Sequence, residues 1–290
     1  MIYIKQEIDN FTYSNIVSSV TEYSPTHNYL LGDLVRVGSY HYKSLYGTVA
    51  LPNVGKDPLS NLGTAWFLYE VSNQYAILDM YSETRTQWTG DGIVEFLRET
   101  KDTLVIGNFL ADTVTVDYLD NLGNIITGET QIYNYYINTI GRNSPWTYYT
   151  ARFVDSVNYV IYTPLKRLGY KIRVTFAKSG NPTNCGYLHA GRSIFMGRTL
   201  EDVSFQNKKI GNVYARVADF QTSVDKQYLM GKSDTAQRLL DTPLAFIIDD
   251  NENSYHQNLV ILGKVTKCDP SANNFEKNRI SWQIEQNILS

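Results

Sequence analysis

The chain has 290 residues, of which 43% are hydrophobic and 19% charged, and its formal net charge is −3. These values are typical of a globular protein with two or three domains. They disfavour nucleic acid and anionic membrane surfaces as partners, because both bind clustered cations, and the densest basic groups here are the pairs Lys166–Arg167 and Lys208–Lys209.

The first 27 residues mix β-forming residues with Ser, Thr and Asn, which indicates an arm or strand leading into a folded module. The segment Met1–Glu7 lacks the basic and apolar regions of a signal peptide, so we expect synthesis in a cytoplasm. The longest apolar run, Leu244–Ile248, is too short to span a bilayer, and no membrane insertion is expected. Cys185 and Cys268 are predicted to be reduced thiols, and the alternative from the sequence is a disulfide between them.

A compact β module is predicted next, over residues 29–71, because short apolar runs alternate with Gly, Asn and Pro. Tyr40 and Tyr42 alternate along one predicted strand, which would place both rings on the same face. Together with Trp66 they form a candidate surface for stacking on a sugar ring or contacting a protein partner. The alternative is that Trp66, and either tyrosine, belongs to the core of a module this small.

The residue order of this module resembles that of small chitin- and cellulose-binding modules, which share a progression of Tyr, Gly-Asp, Tyr-x-Ser, Asn, Pro and Trp. The corresponding residues here are Tyr29, Gly32–Asp33, Tyr42–Ser44, Asn53, Pro58 and Trp66. The chain as a whole resembles tail or particle proteins of tailed bacteriophages, in which such a module precedes an Asn-x-Tyr-Ala-x-x-Asp motif, here Asn73–Asp79. Shorter matches to that family follow at Leu104–Asn108, Val114–Val116, Trp146–Tyr149, Leu239–Pro243 and Leu259–Gly263.

The resemblance implies a non-catalytic structural component of a phage particle, at the tail, baseplate or neck. Such a protein would assemble in the host cytoplasm, reside in the virion, and form a homo-oligomeric ring beside other phage structural proteins. The resemblance also places Tyr40, Tyr42 and Trp66 at the positions of sugar-binding aromatic residues. The alternative function is therefore a glycan-binding adhesin that contacts host surface polysaccharide.

After the N-terminal unit of residues 1–74, an antiparallel β-sandwich is predicted over residues 75–182. Its strands show period-two alternation at Val114, Val116 and Tyr118, and at Ile172, Val174 and Phe176. The turn Asp120–Asn124 predicts a hairpin, and Ser179–Pro182 is the best linker candidate.

A β-rich C-terminal domain is predicted over residues 183–290. One short helix is expected at Ala236–Leu240, capped by Ser233 and ended by Pro243. Strands are expected at Leu244–Ile248 and Leu259–Leu262, and around the alternating Ile280, Trp282 and Ile284.

No motif predicts catalysis, a cofactor or a metal. Gly231–Ser233 lacks the upstream glycine of a phosphate-binding loop, and Gly90–Gly92 lacks the third glycine of a dinucleotide fingerprint. Asp249–Asn253 lacks the glycine and the glutamate of a calcium loop, and Cys185 with His189 supplies two of the four ligands of structural zinc. A glycan-degrading enzyme remains a third possibility, with carboxylates drawn from Asp79, Glu83 and Asp91.

Overall fold

The computed structural model describes residues 2–8, 10–48, 53–79, 85–134, 160–178, 183–200, 204–210, 213–225, 231–232, 238, 243–247, 260–271 and 277–288. Several sequence predictions fall outside these ranges. They are the linker at Ser179–Pro182, the turn at Asp249–Asn253, the match at Trp146–Tyr149, and the helix at Ala236–Leu240 apart from Arg238, which has helical backbone.

The protein is mainly β, as predicted, and the pairings between the strands in the described residues are antiparallel. One 3₁₀ turn, Ala76–Leu78, lies in the described part of the chain, between the strands Trp66–Val71 and Thr86–Trp88. The strands in the described residues are β1 Ile2–Ile4, β2 Tyr13–Ser14, β3 Leu34–Val37, β4 Tyr40–Ser44, β5 Trp66–Val71, β6 Thr86–Trp88, β7 Gly92–Leu97, β8 Thr103–Leu110, β9 Thr113–Leu119, β10 Gln131–Asn134, β11 Val160–Pro164, β12 Lys171–Ala177, β13 Thr183–Gly191, β14 Ser193–Phe195, β15 Arg198–Thr199, β16 Ser204–Ile210, β17 Val213–Asp225, β18 Pro243–Ile247, β19 Val260–Ser271 and β20 Lys277–Ile288.

The predicted N-terminal module is a three-stranded sheet in the order β3-β4-β5. The segment before it covers one edge, because Arg36 of β3 exchanges backbone hydrogen bonds with Thr21 and Tyr23. The opposite edge of the sheet is β5, whose hydrogen-bonded partner strand is β4.

The predicted sandwich consists of a five-stranded sheet, β10-β9-β12-β7-β2, facing a four-stranded sheet, β11-β8-β13-β6. The alternating residues of β9 and β12 are buried between the two sheets, together with apolar side chains of β7, β8, β11 and β13. The predicted hairpin is confirmed. Asp120 holds its turn by accepting hydrogen bonds from the backbone N–H groups of Leu122 and Asn124, each at 2.8 Å.

An eight-stranded sheet, in the order β14-β1-β18-β19-β20-β17-β15 with β16 also on β17, forms the C-terminal part. Ile280, Trp282 and Ile284 lie on its apolar face, as their alternation predicted, beside Phe220 and Phe246. A separate cluster of Ile4, Val105, Tyr187 and Ala245 joins this sheet to the four-stranded sheet of the sandwich. The four-stranded sheet is therefore covered on both faces, and all nine residues of β13 are buried.

Strand pairing crosses both predicted domain boundaries. Strand β1, from the predicted N-terminal unit, lies between β14 and β18 of the C-terminal sheet. Strand β13, from the predicted C-terminal domain, pairs with β8 and β6 of the sandwich. Neither pairing leaves a local signal in the sequence, because it joins segments far apart along the chain.

Candidate functional site

The N-terminal module was the predicted site, and the structure places two of its three predicted contact residues in the core. Trp66 is fully buried and its indole N–H donates to the carbonyl oxygen of Lys56 at 2.6 Å. Tyr42 is also buried, and burial raises the pKa of its hydroxyl. The ring of Tyr29 meets Trp66 edge-on with centroids 5.2 Å apart. The structure therefore shows Trp66 in the core of the module, which was the alternative to a contact role.

Two polar residues of the module, Asn53 and Asp33, also stabilise this small core. The buried Asn53 amide donates to the hydroxyl of Ser44 at 3.0 Å and to the carbonyl oxygen of Ala65 at 3.2 Å. Asp33 accepts a hydrogen bond from the backbone N–H of Leu30 at 2.7 Å and so closes the turn before β3. The Asn53 amide nitrogen and the Asp33 carboxylate therefore make hydrogen bonds that stabilise the module itself.

Tyr40 is the predicted contact residue that remains exposed. Cross-strand partners of Tyr40 are Val37 on β3 and Val71 on β5, at the end of the sheet and away from the Trp66 cluster. The predicted surface with both rings on one exposed face is not formed, because Tyr42 is buried while Tyr40 is 44% exposed.

An apolar surface that sequence reasoning missed lies on β5. Phe67, Leu68 and Tyr69 are 53%, 41% and 48% exposed, and we call these three residues the apolar edge. Large hydrophobic side chains are normally exposed singly, so three in a row on an outer strand are unusual. In the described part of the chain, ten of the eighteen exposed large hydrophobic residues belong to this module: Leu30, Leu31, Tyr40, Leu45, Val54, Leu59, Leu62, Phe67, Leu68 and Tyr69.

A β-bulge shapes the apolar edge. Tyr42 pairs with Leu68 and His41 pairs with Glu70, which leaves Tyr69 as an extra residue on β5. Bulges increase local twist and change the direction in which a side chain points. Lys43, opposite Phe67, places its ammonium 5.5 Å from the centre of the Tyr69 ring. Two exposed aromatic rings and one cation therefore share the outer face of this sheet.

A polar group lies next to the apolar edge on the same face. His41 is buried, and its ring nitrogens lie 2.8 Å from the Ser18 hydroxyl and 3.2 Å from the Glu70 carboxylate. Ser18 belongs to the N-terminal segment, which therefore covers the face of the sheet at His41 and leaves it open at Phe67 and Tyr69.

Of the three carboxylates considered for glycan cleavage, two lie within the described residues, on different parts of the structure. Asp79 ends the 3₁₀ turn and Asp91 is exposed in the turn before β7, whereas Glu83 lies outside the described residues. The enzymatic interpretation stays a prediction.

Cys185 and His189 lie four residues apart on β13, or about 13 Å along a strand, so they do not converge on one ion. Where the structure is described, no group of three His, Cys, Asp or Glu residues is arranged to hold a metal ion.

Cys185 and Cys268 are free thiols in different cores, and burial raises the pKa of Cys268 to about 11. Within the described ranges, no helix has the length and apolar character needed to cross a membrane.

In comparisons with known proteins, no protein-family model matches this sequence, and no curated protein matches it significantly.

Proposed function

We propose that this chain is a non-catalytic structural component of a tailed-bacteriophage particle, at the tail, baseplate or neck. It assembles as a symmetric oligomer in which the N-terminal module contacts a neighbouring subunit. The observation that carries the proposal is the apolar edge, because three exposed apolar residues on an outer strand form a surface suited to another protein chain. The residue order of the module, which resembles that of phage particle proteins, supplies the biological setting.

The geometry of the module favours a protein contact over the predicted sugar platform. Trp66 and Tyr42 stabilise the core and have no exposed ring face to offer, whereas the apolar edge offers both side chains and strand backbone. A neighbouring chain that adds a strand at β5 would gain backbone hydrogen bonds and bury the apolar side chains together. Closed rings require such a contact to repeat identically between copies.

The test is to detect the chain in purified particles of the virus that encodes it, by mass spectrometry with labelled standards for copy number. A fixed copy number that matches a closed ring supports the proposal. The matched pair of variants is Phe67→Lys, which places a charge on the apolar edge, and Leu122→Lys, which places the same charge on the highly exposed tip of the β9–β10 hairpin. We expect Phe67→Lys to lose incorporation and Leu122→Lys to retain it, with thermal unfolding unchanged in both. Absence of the unmodified chain from particles, or equal incorporation of both variants, would overturn the proposal.

A second candidate function, glycan binding by an adhesin, is favoured by one observation. Phe67 and Tyr69 expose rings near the Lys43 ammonium, and exposed aromatic faces stack on pyranose rings. The double variant Phe67→Ala/Tyr69→Ala would then lose retention on host polysaccharide while incorporation into particles persists. Retention that is unaffected by this change excludes the apolar edge as a sugar platform.

A further inference from the structure

Three polar side chains of the N-terminal unit form a series of hydrogen bonds that none of the functions above uses. The Ser18 hydroxyl oxygen lies 2.8 Å from Nε2 of His41, and Nδ1 of the same ring lies 3.2 Å from Oε1 of Glu70. Side chains bond mostly to backbone or water, so a series made of three side chains is uncommon. Hydroxyl, imidazole and carboxylate follow one another in the order of an activated nucleophile, its base and the group that orients the base.

The sheet of the module and the segment before it bring the three residues together. The β-bulge on β5 sets Glu70 opposite His41 of β4. Backbone hydrogen bonds to Arg36 hold the preceding segment against β3, and Ser18 of that segment lies over the His41 ring. Because the three residues come from separate segments, no local motif in the sequence indicates this arrangement.

The hydrogen-bond partners set the direction in which protons are donated. The backbone N–H of Val20 donates to Ser18 Oγ at 3.2 Å and leaves the hydroxyl proton available to His41 Nε2. With Nε2 as the acceptor, Nδ1 carries the ring proton and donates it to the Glu70 carboxylate. His41 is 3% exposed whereas Ser18 is partly exposed, so a reagent can reach the serine while the base is shielded from water.

From this geometry we propose that Ser18 is a modification site, a nucleophilic serine that accepts one acyl group from an activated ester or thioester. Ser18 Oγ forms a bond to the carbonyl carbon of the donor, and the bond from that carbon to the leaving oxygen or sulfur breaks. The hydroxyl proton passes to His41 Nε2 and from there to the leaving group. Glu70 is a positioning residue, because it holds the ring rather than the reacting atoms.

Apolar side chains beside these residues favour an acyl group with a hydrocarbon chain. Val17 precedes Ser18 and is 82% exposed, and Tyr69 precedes Glu70 and is 48% exposed. A hydrocarbon chain attached to Ser18 would cover part of this apolar surface. The reaction ends with one acyl group on each chain, so it leaves the proposed non-catalytic role unchanged. Its failure would also leave that role intact, because incorporation into particles does not require an acylated serine.

The test treats the full chain with 4-nitrophenyl butyrate and locates the butyryl groups by peptide mass spectrometry. Ser14 is the matched internal control, because its hydroxyl accepts a hydrogen bond from the backbone N–H two residues later, as that of Ser18 does. Both serines are partly exposed. We expect Ser18 to be butyrylated at least about a hundredfold faster than Ser14, since a positioned general base contributes this much or more.

Two variants separate the roles of the ring and the carboxylate. His41→Gln should remove the difference in rate between Ser18 and Ser14. Glu70→Gln keeps the size of a side chain that is 55% exposed, and it should slow the reaction of Ser18 by at least about tenfold with thermal unfolding unchanged. The NMR resonance of the His41 Nδ1 proton, shifted downfield by the carboxylate in the unmodified chain, should move upfield in Glu70→Gln.

Equal butyrylation of Ser18 and Ser14 in the unmodified chain would overturn the proposal. This comparison needs no variant, so it holds even if replacement of the buried His41 disturbs the fold. An unchanged rate at Ser18 in Glu70→Gln would also overturn it, as would release of more than one equivalent of 4-nitrophenol per chain, since the acyl group would then be hydrolysed. Equal rates at Ser18 with 4-nitrophenyl acetate and butyrate would overturn the preference for a hydrocarbon chain.

Discussion

Protonation of a single buried histidine should make the sandwich sensitive to moderately acidic pH. His189 lies on β13 with no exposed surface, and burial lowers the pKa of its imidazole from 6.5 to about 4, against a smaller opposing contribution from the backbone of Asp79. The pKa of the folded state is thus below that of the unfolded state. The unfolded chain binds the proton first, and the stability contributed by the neutral ring is lost as the pH falls from about 6.5 towards 4.

The size of this effect follows from the shift. Each pKa unit corresponds to about 1.4 kcal/mol, so the free energy of unfolding should fall by about 2–3 kcal/mol between pH 7.5 and pH 4.5 on account of His189 alone. Carboxylates titrate over part of the same range. They do so in both the wild-type chain and a His189→Leu variant, so their contribution cancels in the difference between the two.

The assay is urea unfolding followed by tryptophan fluorescence, at pH 7.5, 6.0 and 4.5 and constant ionic strength. We expect wild type and His189→Leu to diverge progressively as the pH falls, with the variant losing less stability. A direct NMR titration of the imidazole should show a neutral ring down to about pH 4. Parallel stability curves, or an imidazole that titrates near 6.5, would refute the reasoning.

Three further changes test the packing. Trp66→Ala should destabilise the N-terminal module by about 3–5 kcal/mol, because the ring is fully buried, and the loss should appear as proteolysis of that module at lower temperature. Gly191→Ala should detach the N-terminal strand, because the new Cβ would lie 1.9 Å from the carbonyl oxygen of Lys5, and hydrogen exchange of residues 2–8 should accelerate. Arg173→Met should lower stability by about 2–3 kcal/mol, because it removes the 2.7 Å ion pair of the buried Glu95 carboxylate while the arginine itself is partly exposed.

Each of these changes has a matched control. Tyr40→Ala removes an exposed ring from the same module and should have little effect; an equal loss would show that Trp66 is not the core residue. Gly231→Ala places a Cβ where no atom lies within 4 Å, and unchanged exchange after Gly191→Ala would contradict the packing of the arm. Adding Glu95→Gln to Arg173→Met should recover part of the loss, and a further loss instead would refute the ion-pair account.

Two kinds of strand could be predicted from the sequence: those with alternating apolar residues and those with a continuous apolar run, such as β18. Alternation located β9, β12 and β20 because one side chain in two must enter a core, and the structure buries the predicted ones. Strand β13 could not be predicted: it shows no alternation because both of its faces are covered, and no continuous apolar run because its buried residues include Thr183, Asn184 and His189.

The existence of the N-terminal module could be predicted from the sequence, but which of its aromatic side chains are exposed could not. The module and its aromatic content were predictable, yet alternation alone could not show that the core ends before Tyr40 or that a bulge adds Tyr69 to β5. One signal was present in the sequence. A strand buried on one face requires an apolar residue only at every second position, yet Phe67, Leu68 and Tyr69 are apolar in succession.

The position of β1 constrains how the chain can be made. Residues 2–4 are synthesised long before residues 243–247, so the edge that β1 presents to β18 has no partner until that later segment has been made. One side of β1 must therefore stay unpaired while the strands of the sandwich, which lie between these two segments, can already fold. Pairing of β1 with β18 is then a late event, so a chain arrested before residue 243 should have a folded sandwich and a loosely held β1.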